Sequence, residues 1–93
     1  MAYNAQYAVT FEETVEKCVE GKKTRRMLDK DILFILEKPY FKAQKVKEYA
    51  NKNIFRKNIC AGKLRIFYSI DKSANQIKFY FVRIKNKNTY KDL

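Results

Sequence analysis

The stretch "KLRIFYSIDKSANQIKFYFVRIKNKNTY", Lys63 to Tyr90, sets Arg65 and Arg83 inside runs apolar enough to be strands. Lys85 and Lys87 follow the second run, and Tyr90 comes last. The run before it, Ile54–Cys60, carries Arg56, Lys57 and Asn58. Guanidinium and ammonium groups only donate hydrogen bonds, and several of them together suit the oxygens of a polyanion such as a phosphodiester chain. An unpaired cation is costly to bury, so Arg65 must turn to solvent, to a carboxylate or to a partner. The competing readings are an intradomain ion pair for Arg65, solvated lysines, and Tyr90 as the cap of an apolar edge. The sequence has no histidine, which excludes imidazole acid–base chemistry. The remaining bases are Tyr90, a lysine of lowered pKa, or a carboxylate such as Glu48.

The charge distribution supports the polyanion reading. Net charge is +11. Residues 1–50 hold ten Lys and Arg against eight Asp and Glu, whereas residues 51–93 hold eleven against Asp71 and Asp92 alone. An AT-rich genome would account for abundant lysine, but not for missing acids. The second half therefore reads as a surface that meets phosphate. A second basic cluster, Lys22, Lys23, Arg25 and Arg26, reads as a solvated face that could also grip ribosomal RNA.

Ninety-three residues form one domain with a modest core, and 46% hydrophobic content excludes a disordered chain. The longest strongly apolar run, Ile32–Leu36, is far too short to span a bilayer. The N-terminal residues lack the basic-then-apolar pattern of a signal segment, so the expected location is cytoplasmic. Cys18 and Cys60 have neither CxxC spacing nor histidine partners, which predicts reduced, half-buried core thiols and no metal site.

These residues must be positioned by a small α+β scaffold. Residues 3–9 predict a strand, and Thr10–Glu13 fits a capping box opening a helix whose apolar stripe is Phe11, Val15, Cys18 and Val19. Gly21 is expected to stop it. A second helix from about Lys23 to Lys38 buries Leu28, Ile32, Ile35 and Leu36, widened by Leu33 and Phe34, and Pro39 ends it. Residues 39–53 read as a connection with one helical turn around Lys45–Tyr49. Three strands then follow, at Ile54–Cys60, Leu64–Ile70 and Gln76–Ile84, with links short enough to imply an antiparallel meander. The expected order is β-α-α-β-β-β, a small antiparallel sheet packed on a helical hairpin. Alternation sends Leu64, Ile66, Tyr68 and Ile70 to the helices and Arg65, Phe67 and Ser69 to the other face. In the preceding strand Arg56, Asn58 and Cys60 share a face opposite Phe55, Lys57 and Ile59. The last strand is apolar on both sides, which predicts a central position and leaves Arg83 unoriented. Tyr3, Tyr7, Tyr49 and Phe67 read as packing residues.

A helical hairpin ending at Pro39, followed by "FRKNICAGKLRIFYSIDK" and "QIKFYFVRIKNKNTY", resembles the RelE/ParE superfamily of toxin–antitoxin toxins. The signatures are G-x-x-R-I-x-Y-x-I-D, Gly62 to Asp71, and a closing strand with basic residues and a tyrosine, Arg83 to Tyr90. The resemblance implies a single toxin domain over residues 1–93. It implies a ribosome-dependent mRNA endonuclease that cuts without metal or small-molecule cofactor, by attack of a ribose 2′-hydroxyl on the adjacent phosphate. Such a toxin inhibits translation, and its implied partners are the ribosome, mRNA and a cognate antitoxin, with no membrane. Catalysis would fall to Arg65, Tyr90, Arg83 and Lys85, and RNA contacts to Arg56, Lys57, Asn58, Lys63 and Lys87. Arg65 would stabilise phosphate charge, and Tyr90 would stack on a base or share in proton transfer. Arg83, Lys85 and Lys87 compete for the basic role before the tyrosine. Arg56 matches a family lysine, and the second basic position of that strand is the neutral Asn58. With three residues after Tyr90, the C-terminal helix of longer members is expected to be absent.

Two other classes fit the same sequence. One is a ParE-like inhibitor of DNA gyrase, or a toxin weakened at Asn58, marked by failure of the cations and Tyr90 to converge. The other is a non-enzymatic basic RNA-binding or ribosomal protein, marked by salt-dependent binding to naked RNA without cleavage.

Overall fold

The computed structural model describes residues 2–46 and 53–84. The elements are β1 (Asn4–Tyr7), α1 (Val9–Cys18), α2 (Gly21–Glu37), β2 (Gln44–Lys45), β3 (Ile54–Ile59), β4 (Leu64–Asp71) and β5 (Gln76–Ile84). The expected β-α-α-β-β-β order is present, with β2 added. One five-stranded sheet runs β1-β5-β4-β3-β2. It is mixed: β2 to β5 are antiparallel neighbours, but β1 lies parallel to β5.

The helices cover one face. Phe11 and Val15 of α1 and Leu28, Ile32 and Ile35 of α2 pack on Ile59, Leu64, Ile66, Tyr68, Ile77, Phe79 and Val82. Alternation along β4 is as expected. Leu33 and Phe34, however, do not widen the buried stripe of α2: they are 64% and 40% exposed, one helical position off the core face. Pro39 is buried, and its carbonyl accepts a 2.6 Å hydrogen bond from the Tyr68 hydroxyl. This bond ties the end of α2 to the sheet centre.

Several local expectations are corrected by the backbone. Gly21 does not terminate the first helix. That helix stops at Cys18, and Gly21, with φ +83°, opens α2 two residues earlier than expected. Of the turn expected at Lys45–Tyr49, Lys45 is extended and pairs with Phe55, because pairing to β3 outweighs a weak helical pattern, and residues 47–49 lie outside the described residues. Cys60 leaves the face of Arg56 and Asn58. With φ +53° it sits beyond the end of β3 and enters the core, where its N–H donates to Asp31 Oδ2 at 2.8 Å.

Thr10 forms no capping box. The residue before α1 is Ala8, and no side chain caps the helix. The Thr10 hydroxyl instead donates to the Tyr80 carbonyl at 2.7 Å. The reason lies in the sheet: β1 ends at Tyr7, opposite Phe79, so β5 continues with one bare edge. α1 lies along that edge. The Val82 N–H donates to the Thr14 hydroxyl at 3.0 Å, and the Cys18 thiol donates weakly to the Val82 carbonyl at 3.9 Å. Positions 10, 14 and 18, one per helical turn, serve the polar groups that β1 leaves unpaired.

Candidate nucleic-acid interface

The face away from the helices is built from β3, β4 and β5. Asn58 stands opposite Arg65, and Arg65 opposite Arg83, forming one row across three strands. The next row runs Gln44, Arg56, Phe67, Phe81. Phe67 and Phe81 stack at 4.5 Å between centroids, and the Arg83 guanidinium lies 4.9 Å from the Phe81 ring. Val46 and Ile54 join Phe67 in a small second core, against which Tyr80 and Phe81 pack.

Arg83 reaches this face because of a bulge. Tyr68 pairs with Phe79 and Phe67 with Phe81, so Tyr80 is an extra residue in β5. Simple alternation from the buried Phe79 would send Phe81 and Arg83 to the helices. The extra residue reverses the count, leaving Val82 in the core and Arg83 beside Arg65. The bulge is held from behind by Thr10 on the Tyr80 carbonyl and Thr14 on the Val82 N–H.

The electrostatics are one-sided. Partial burial and then the nearby positive charge of Arg56 push the Arg65 pKa down. The Arg56 Nε and Nη2 donate to Gln44 Oε1 at 3.2 and 3.1 Å, a partner that carries no charge. An open cavity of about 310 Å³ lies at the edge of this face, lined by Lys42, Gln44, Arg56, Lys57, Asn58 and Arg65. Among the described residues no carboxylate lines it.

The structure thus brings together Arg56, Asn58, Arg65 and Arg83. Lys57 points to the opposite face, as alternation predicts, but its side chain lies at the sheet edge and lines the cavity. Lys63 is exposed in the turn between β3 and β4. Lys85, Lys87, Tyr90 and Glu48 fall outside the described residues. Lys42 and Gln44 are additions that sequence reasoning missed. They lie in the connection after α2, and only their placement against β3 reveals them.

No protein-family model and no curated protein sequence matches this chain. Solved structures do. A RelBE toxin–antitoxin complex from Mycobacterium tuberculosis aligns with a TM-score of 0.73 and 13% identity, over 91% of this chain and 100% of that one. The isolated RelE toxin of E. coli aligns with a TM-score of 0.71 and 17% identity, over 98% of this chain and 94% of that one. An archaeal RelE–RelB complex from Pyrococcus horikoshii aligns with a TM-score of 0.60 and 18% identity, over 94% and 99%. The chain therefore has the RelE toxin fold.

Proposed function

We propose that this protein is a RelE-like toxin: an mRNA endonuclease that acts in the ribosome, cuts by metal-independent 2′-hydroxyl attack, inhibits translation and is neutralised by an antitoxin. The observation that carries this reading is the in-register Arg65–Arg83 pair on a sheet face of RelE fold. Two guanidiniums placed side by side suit a phosphate whose negative charge grows as the 2′-oxygen attacks. Arg65 would stabilise that charge, Arg83 would fill the basic role before the tyrosine, and Arg56 would hold a neighbouring phosphate. Lys63, Lys85 and Lys87 would add RNA contacts, and Tyr90 would stack on a base or move a proton. The antitoxin would lay an apolar and acidic segment over the same basic face.

The test is mRNA integrity in a translating extract, with wild type beside Arg65→Ala, Arg83→Ala and Tyr90→Phe. The expected result is ribosome-dependent cleavage, slowed on the order of 10²–10³ by each arginine substitution. Intact mRNA with translation unharmed would overturn the reading. A second reading rests on Asn58: a neutral residue in line with Arg65 and Arg83 favours a weakened toxin or a ParE-like gyrase inhibitor. Loss of gyrase supercoiling activity with mRNA intact would select the gyrase inhibitor, and slow ribosome-dependent cleavage that Asn58→Lys quickens would select the weakened toxin.

A further inference from the structure

The cavity beside Arg65 draws cations from both faces of the sheet. β2 begins only at Gln44, opposite Arg56, so among the described residues β3 is an edge strand from Lys57 onward. At an edge, side chains of opposite faces border the same space. Lys57 comes from the helix side, Arg56 and Asn58 from the open side, and Lys42 from a turn whose φ of +54° carries the chain off the sheet.

Both lysines rest on an aromatic mount. The Lys57 ammonium lies 4.2 Å from the Phe34 ring centroid and 5.4 Å from that of Phe41. The Lys42 ammonium lies 5.6 Å from the same Phe41 ring. Phe34 and Phe41, 40% and 50% exposed, meet edge to face at 5.5 Å. A ring face attracts an ammonium and fixes it, while the remaining N–H bonds stay free to donate. Desolvation is the main cause lowering the Lys57 pKa; the nearby Asp31 opposes it, and Lys42 lowers it by a smaller amount. Among the described residues the one salt bridge, Arg25–Asp29 at 3.7 Å, lies elsewhere. Lys42, Arg56, Lys57 and Arg65 all line this polar cavity, a set of hydrogen-bond donors that suits an anion.

We propose that Lys42 and Lys57, mounted on Phe34 and Phe41, form a second phosphate subsite at the β3 edge, holding a backbone phosphate next to the one at Arg65 and Arg83. The subsite rests on the RNA-cleaving reading above, and it places the positive charge missing at Asn58 on the other side of the same strand. The substrate class is single-stranded RNA threaded across the β3 edge.

Binding of a 2′-O-methyl single-stranded oligoribonucleotide, which this chemistry cannot cut, tests it by fluorescence anisotropy from low to moderate salt. Lys42→Gln and Lys57→Gln should each lower the slope of log affinity against log salt by roughly 0.7, the value for one phosphate contact on a single strand. Phe41→Leu should weaken binding although both lysines remain, and thermal melting of each variant checks its folding. Wild-type slopes in both lysine variants, with lowered slopes in Arg65→Ala and Arg83→Ala, would overturn the subsite and leave the RNA reading standing. Unchanged slopes in all four would sink both.

Discussion

Arg65 and Arg83 face each other directly across β4 and β5. Like charges at opposed sheet positions cost about 0.2–1 kcal/mol relative to neutral pairs. Arg83 is exposed and lies outside the core, against the Phe81 ring at 4.9 Å. Repulsion between the two guanidiniums opposes folding, and a bound anion would screen it. Arg83→Gln should therefore stabilise the ligand-free chain by a few tenths to about 1 kcal/mol in urea unfolding. Added salt should stabilise the wild type more than the variant, because it screens repulsion that the variant lacks. A variant less stable than wild type at low salt would show that Arg83 serves the fold.

The position of Arg83 depends on two threonines behind the sheet. Thr14→Val removes the acceptor for the Val82 N–H while keeping shape, and should cost about 1–3 kcal/mol, whereas Thr14→Ser should retain most stability. Hydrogen exchange of the Val82 amide should rise in Thr14→Val and stay slow in Thr14→Ser. If the bulge sets the side of Arg83, RNA binding should also weaken in Thr14→Val. A slow Val82 amide in both variants would show that the bulge holds without the hydroxyl.

This dependence also marks where the sequence stopped being legible. Alternation oriented β4 and β3 correctly as far as Ile59, because each is regular between its turns, and failed at Cys60, where the backbone turns left-handed. It left Arg83 unoriented, since the bulge at Tyr80 has no signature: Phe79, Tyr80 and Phe81 are all aromatic and look alike as core or rim. Thr10 matched a cap pattern through local spacing, but its bond is to a residue 70 positions away. The β1–β5 pairing is likewise non-local, and no turn length reports that it is parallel. Short-range signals thus gave the element order and the Arg65 face. The bulge, the edge cover and Lys42 depend on contacts between distant segments.

Cys60 gives a prediction in pH. Burial and the nearby Asp31 push its thiol up from 9.0 to about 11, against a smaller opposing pull from Lys63. The folded state thus keeps a proton that the unfolded chain gives up near pH 9. The stability linked to this group is complete below pH 9 and lost as pH rises from about 9 to 11. Urea midpoints measured across that window should fall for wild type and fall less for Cys60→Ala, which will itself be less stable at pH 7. Parallel curves for the two proteins would rule the thiol out as the titrating group.

Asn58 offers a gain-of-function test. It is exposed at the edge of the Arg65–Arg83 row, so a lysine there meets no steric barrier from the core. Asn58→Lys adds a third cation in register and should destabilise the free protein by about 0.2–1 kcal/mol through like-charge contact with Arg65. If the row meets a phosphate, the same substitution should steepen the salt dependence of single-stranded RNA binding by roughly 0.7. On the proposed nuclease reading, ribosome-dependent cleavage should then quicken if that phosphate is the reacting one, because added positive charge stabilises the developing phosphorane. Lower stability without tighter RNA binding would place the substrate phosphate away from Asn58, toward the Arg83 end of the row.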